Sequence, residues 1–188
     1  MKNCSYRLRY AFALGWGVSV GVGNAFAAEQ AVPEEVYLAP AAFVSEAFSG
    51  GEAGRPEMFW LTQTVKPEVR AILGHDYPGL RLRYWRRDER TAWILEEIGK
   101  VKPITTGVVV EAGEIVRLQV LVYRESHGWE VKHPFFTDQF KGITLRDGTK
   151  LSEPIDGITG ATMSVNALRK LSRLALYLDQ CVQASDGS

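Results

Sequence analysis

Nine consecutive residues, Asp156-Gly157-Ile158-Thr159-Gly160-Ala161-Thr162-Met163-Ser164, bring together three hydroxyls, a carboxylate and two glycines just ahead of an apolar stripe with helical spacing. A loop that feeds a helix in this way suits an anion. The first four N–H groups of a helix have no partner inside it, and the positive end of the helix dipole favours a phosphate there by about 0.3–1 kcal/mol. Gly157 permits the turn, while Gly160 and Ala161 leave room beside the Thr162 hydroxyl. Thr159 and Ser164 can donate hydrogen bonds to a bound phosphate, and Asp156 can close an Asx turn. The competing use of the same residues is structural, with Thr162 or Ser164 serving only as the N-cap.

Other constellations carry less. His75, His127 and His133 are the only histidines, and they have neither paired cysteines nor helical i, i+4 spacing, so no metal site is expected. No G-x-G-x-x-G stands between a strand and a helix, which leaves no visible nicotinamide site. Lys plus Arg and Asp plus Glu each number 22, a balance without the positive excess that nucleic-acid binding demands. The run Arg81, Arg83, Arg86, Arg87 and Arg90 alternates with apolar residues as a solvated sheet face does, and is also a possible dock for an acidic redox partner.

Two cysteines are present, Cys4 and Cys181, with no C-x-x-C. Any redox chemistry must therefore reside elsewhere than in a cysteine motif.

The elements that hold the nine-residue segment follow from periodicity. Val165, Leu168, Leu171, Ala175, Leu178 and Val182 recur every three or four residues, predicting an amphipathic helix over about 163–181 that lays its apolar side on a sheet. Upstream, Leu80, Leu82 and Tyr84 alternate with Arg81 and Arg83, and Arg87 to Arg90 turn the chain into 91–98. Residues 104–110 and 115–123 flank the hairpin-length link Glu111 to Glu114. These give a four-stranded antiparallel meander. Pro40 opens a short helix over 41–48 that Gly50-Gly51 stops, and Val65, Val69, Ile72 and Leu73 form a second, capped by Gly74. Residues 54–56 read as loop, 135–141 as one or two helical turns ending at Gly142, and 143–154 as loop and turn. The fold class is α+β, an antiparallel meander covered by helices, with the candidate loop at the N-terminus of the last one.

The first 27 residues have a basic head (Lys2, Arg7, Arg9), an apolar acid-free middle and the small-x-small site Ala25-Phe26-Ala27. This pattern predicts a cleaved signal peptide, leaving residues 28–188 as one domain in the periplasm. Retention as a membrane anchor is the alternative, although the apolar stretch is shorter than the roughly 20 residues of a spanning helix. Cleavage removes Cys4, so no intramolecular disulfide is expected.

Asp156-Gly157-Ile158-Thr159-Gly160-Ala161-Thr162 resembles the flavinylation motif of the FMN-binding domain family, found in the periplasmic flavin subunits of sodium-pumping NADH:quinone reductase and of the Rnf complex. The resemblance extends to Ile104-Thr105-Thr106-Gly107-Val108-Val109-Val110, to Glu125-Ser126-His127-Gly128 and to Asp138-Gln139-Phe140-Lys141-Gly142, in that order, and covers about residues 100–180. His127 and Trp129 depart from it, standing where the family has proline and a small residue.

The resemblance implies FMN held covalently by a phosphoester to Thr162, with Glu125, Gly128 and Phe140 also at the cofactor. It implies a FAD-dependent flavin transferase that acts on the loop, with Asp156 assisting, and redox donor and acceptor proteins or a membrane electron-transfer complex as partners. Trp129, Phe135, Phe136 and Phe140 are candidate walls for the flavin ring. The function that follows is an electron carrier outside the cytoplasm. A flavin-bearing reductase subunit acting on a small substrate and a non-covalent FMN module are the alternatives.

Overall fold

A computed structural model describes residues 34–48 and 54–186, so the signal-peptide reading and the Gly50-Gly51 stop lie outside the described residues. A six-stranded sheet has the order β1-β6-β5-β4-β3-β2 and every pairing is antiparallel. The strands are β1 (Glu35–Val36), β2 (Glu57–Trp60), β3 (Arg81–Arg87), β4 (Arg90–Ile98), β5 (Pro103–Glu111) and β6 (Glu114–Tyr123). Strands β3 to β6 are the four-stranded antiparallel meander expected from the sequence.

The two outer strands correct the expected strand number. β2 lies in the stretch after the predicted loop at 54–56, where it pairs with β3 and turns Phe59 edge-on to Trp93 at 6.2 Å. At two and four residues, β1 and β2 are too short to show a period and take their register from the strand they edge. A further small hairpin, β7 (Leu145–Arg146) with β8 (Lys150–Leu151), stands where loop was expected.

Helices cover both faces. On one side α4 (Thr162–Asp186) and α2 (Lys66–Leu73) bury Leu168, Leu171, Leu174, Leu178, Ile72 and Leu73 against Trp93, Leu95, Val108 and Val110. On the other, α1 (Pro40–Ala47) packs Phe43, Val44 and Ala47 on Ala92, Val109 and Leu121. With both faces covered, β5 is apolar from Ile104 to Val110 apart from two threonines and a glycine, instead of strictly alternating. Short helical turns at Trp129–Lys132, Pro134–Thr137 (α3) and Asp138–Phe140 then lead toward the candidate loop.

Gly107 makes room for α1. A Cβ built there would lie 2.5–2.7 Å from the Phe43 ring, which is 0% exposed and has nowhere to retreat without lifting its helix. Gly107→Ala is therefore expected to destabilise by about 1–3 kcal/mol, the range for overpacking a filled core. Urea unfolding monitored by circular dichroism measures it; an unchanged midpoint would show that Phe43 swings aside freely.

Candidate functional site

The bland use of the hydroxyls as helix caps does not occur. Ala161 occupies the N-cap position: its carbonyl accepts the N–H of Val165 at 2.9 Å, and α4 begins at Thr162. Alanine has no side-chain oxygen to turn back on the helix, so the N–H groups of Thr162, Met163 and Ser164 are left for another acceptor. The loop reaches this point through a turn closed by Ala161 N–H to Ile158 O, 3.0 Å, with Gly160 at φ +84°. That left-handed residue is the third of the turn, where glycine is favoured. Gly157 is not left-handed, so the conformational demand falls on Gly160.

Thr162 opens onto a cavity of about 490 Å³, within the range of small-molecule sites. Gly160, Ala161, Met163 and Ser164 line it from the helix side, and Lys100, Val101, Glu125, Ser126 and His127 from two loops. Thr162 is exposed, and Val101 and Met163 present apolar surface at 65% and 51% exposure. A hydroxyl, free backbone donors, a cation and an apolar rim therefore converge on one space.

Of the residues singled out in the sequence, the fold brings Thr162, Ala161, Gly160, Ser164 and Glu125 to the cavity. Gly128 lies beneath it at φ +87°, where a Cβ would stand 2.7 Å from Ser164 Oγ and 3.0 Å from the Tyr123 hydroxyl. Thr159 is exposed outside the lining. Asp156 donates its backbone N–H to Gln139 Oε1 at 2.7 Å, and its carboxylate makes no hydrogen bond among the described residues, so it closes no Asx turn.

The Ser164 hydroxyl is engaged within the fold. It is buried and shares a 2.8 Å hydrogen bond with the Tyr123 hydroxyl, which donates to His127 O at 2.5 Å. Since Tyr123 has one proton and gives it to His127, Ser164 must donate to Tyr123. Its proton is thus committed to the floor of the site.

Among the expected walls, Phe136 and Phe140 are 0% exposed and stack edge to face in the core, away from the cavity. Trp129 and Phe135 are exposed, but neither lines the cavity. Edge-to-face packing against apolar neighbours decided this, and a local pattern contains no sign of it.

Sequence reasoning missed Lys100 and Val101. They belong to the 99–102 turn, which Glu125 organises: its Oε1 accepts the N–H groups of Lys100, Val101 and Lys102 at 2.5, 2.6 and 2.9 Å. Burial works to raise the Glu125 pKa, but these three donors outweigh it and hold the carboxyl below the usual range. A carboxyl with a lowered folded pKa contributes stability above its unfolded pKa and loses it as pH falls through the folded value. Glu125→Gln should accordingly be less stable than wild type at about pH 7, and the gap should narrow as pH falls through the lowered folded pKa of Glu125, below which both side chains are neutral. Urea midpoints across that range decide it; a gap that persists at low pH would mean shape, not charge, holds the loop.

Residues 99–177 match the model of a family described as FMN-binding domain. That span contains the cavity lining from Lys100 to Ser164. Searches of curated proteins and of solved structures found no match. Among the described residues, no helix is long and apolar enough to cross a membrane, and no group of three or more His, Cys, Asp or Glu could hold a metal ion.

Proposed function

We propose, from the premise that this chain carries an FMN-binding domain at residues 99–177 and is a flavin-binding protein, that Thr162 holds FMN through a phosphoester and that the protein relays electrons outside the cytoplasm. One observation carries the covalent reading. The Thr162 hydroxyl is exposed on the cavity at a helix start whose N-cap is alanine, so neither capping nor packing accounts for it.

The residues fit the group. The N–H groups of the first turn of α4 suit the phosphate, and Val101 and Met163 offer apolar surface to a ring. Bound FMN supplies one- and two-electron transfer, and the protein sets where the ring sits and what surrounds it. Loading from FAD balances as a displacement at phosphorus: the Thr162 Oγ–P bond forms, the bond between the two phosphates breaks, AMP leaves, and the hydroxyl proton passes to a base of the transferase. An ester through the tail leaves the ring unaltered and prevents loss of the cofactor after export. The basic, apolar and small-x-small order of residues 1–27 supports export to the periplasm.

The test is to express the full chain with a flavin transferase, denature the purified product and map it by mass spectrometry. The expected result is FMN on the peptide containing Thr162 and a mature N-terminus at Ala28. A wild type that stays unlabelled beside an active transferase would overturn the covalent reading, and release of yellow colour on denaturation and filtration would establish a non-covalent module. A chain still starting near Met1 in the membrane fraction would establish the anchored form.

A further inference from the structure

A second cavity of about 450 Å³ shares no lining residue with the first. It lies along α4 beyond the acceptor loop, and its lining includes Lys150, Arg169, Lys170 and Arg173 against one carboxylate, Glu153. These cations are not equivalent. Lys170 Nζ is 2.8 Å from Glu97 Oε1, a carboxylate 3% exposed that also takes His75 Nε2 at 2.9 Å, so its charge is answered within the fold.

The arginines have no such answer. Arg169 donates to Ile155 O and to Asn166 Oδ1, the latter at 3.3 Å. Arg173 donates to Arg169 O at 3.3 Å and Ile72 O at 3.2 Å. Every one of these acceptors is a neutral oxygen. Among the described residues, no carboxylate comes within ion-pair distance of Arg169, Arg173 or Lys150, and Glu153 makes no ion pair. Arg173 is half-buried as well, and burial lowers its pKa. A desolvated guanidinium held only by carbonyls keeps a charge that the protein has not neutralised.

Donors remain on each group. A guanidinium carries five N–H bonds and each arginine spends two; Asn166 uses only its oxygen, and Lys150 keeps all three of its own. Asn166, Arg169 and Arg173 fall at i, i+3 and i+7, one face of the helix, over a rise of about 10 Å. Three unanswered cations and one acid leave a net positive groove, long enough for two joined phosphoryl groups. The planar forks of arginine match the oxygens of phosphate in pairs.

We propose that this groove is a binding site for a diphosphate-type oxyanion, held by Arg169, Arg173, Lys150 and the Asn166 amide. The ligand is either free diphosphate or the diphosphate of a nucleotide, and the chemistry of recognition is the same for both.

The test is calorimetric titration of the full chain carrying Thr162→Ala, so that the result does not depend on flavin loading. Inorganic pyrophosphate and ADP are the probes, against sodium sulfate and sodium chloride at matched ionic strength. Pyrophosphate should saturate one site. Arg173→Gln should weaken it by about tenfold or more, as expected for losing a hydrogen bond from a charged group. Because Arg173 also anchors Ile72 O, Lys150→Gln provides a variant without structural partners; a loss of about two- to fivefold is expected there, and none for Arg55→Gln. Tighter binding of ADP than of pyrophosphate assigns the groove to a nucleotide, and the reverse to the free anion. The proposal is overturned if pyrophosphate shows no saturation by about 10 mM, if chloride at matched ionic strength abolishes binding, or if Arg173→Gln and Lys150→Gln both bind like wild type.

Discussion

Thr162→Ala is expected to abolish in-gel flavin fluorescence of the denatured protein while leaving its circular dichroism unchanged. The two halves have separate physical reasons. Removal of the hydroxyl removes the only atom of that side chain able to form the ester. The fold does not need that atom, because the N-cap is Ala161 and α4 is held by Leu168, Leu171, Leu174 and Leu178 in the core. A side chain that caps nothing should cost less than the about 0.5–2 kcal/mol of a lost cap. Thr159→Ala should label like wild type, since Thr159 faces solvent outside the cavity. Ser164→Ala should label more weakly, since it cuts the link to Tyr123 that supports the floor. Fluorescence surviving in Thr162→Ala would place the acceptor elsewhere, and an unfolded variant would show that the hydroxyl has a structural partner.

The second large effect is expected at Gly128. Gly128→Ala combines two penalties: a left-handed backbone that costs a non-glycine residue about 1–2 kcal/mol, and a methyl placed 2.7 Å from Ser164 Oγ and 3.0 Å from the Tyr123 hydroxyl. The overpacking adds about 1–3 kcal/mol if the neighbours do not yield. If they do yield, the Ser164 to Tyr123 to His127 relay breaks and the cavity floor moves. Thermal unfolding and the rate of flavin labelling therefore separate the outcomes. Lower stability with normal labelling would mean that the strain is absorbed outside the site, and wild-type values for both would remove Gly128 from any role beneath it.

Two residues show how far the sequence reaches. Gly128 stands in Glu125-Ser126-His127-Gly128, a segment legible as part of the site. What makes the glycine necessary is Ser164, 36 positions later, and nothing in either segment says that they meet. Glu125 is a similar case. It was legible as a site residue, yet its carboxylate spends one oxygen on the backbone of residues 100–102, and through that turn brings Lys100 and Val101 to the cavity. Phe140 shows the opposite: an aromatic beside a recognisable motif suggests a cofactor contact, and three-dimensional packing places it in the core.

Local and periodic features were legible along the chain. Strand β3 follows from alternation and β4 to β6 from runs bounded by the polar turn at 87–90 and the glycine-bearing link at 111–114, the last helix from a three-or-four spacing, the caps from Gly74 and Pro40, and the glycine-bearing loop ahead of α4 from composition. These properties depend on neighbours along the chain, and periodicity averages over enough residues to be read. Which side chains share a space depended on the closed fold. It added β1 and β2, whose few residues carry no period; it turned Ser164 inward and left Thr162 outward, although both stand in the same turn; and it lined Arg169 and Arg173 along a groove where, among the described residues, no carboxylate lies within ion-pair distance of them. In each case the deciding energy lies in contacts between residues distant in sequence, which burial and hydrogen-bond satisfaction settle only when the chain has closed.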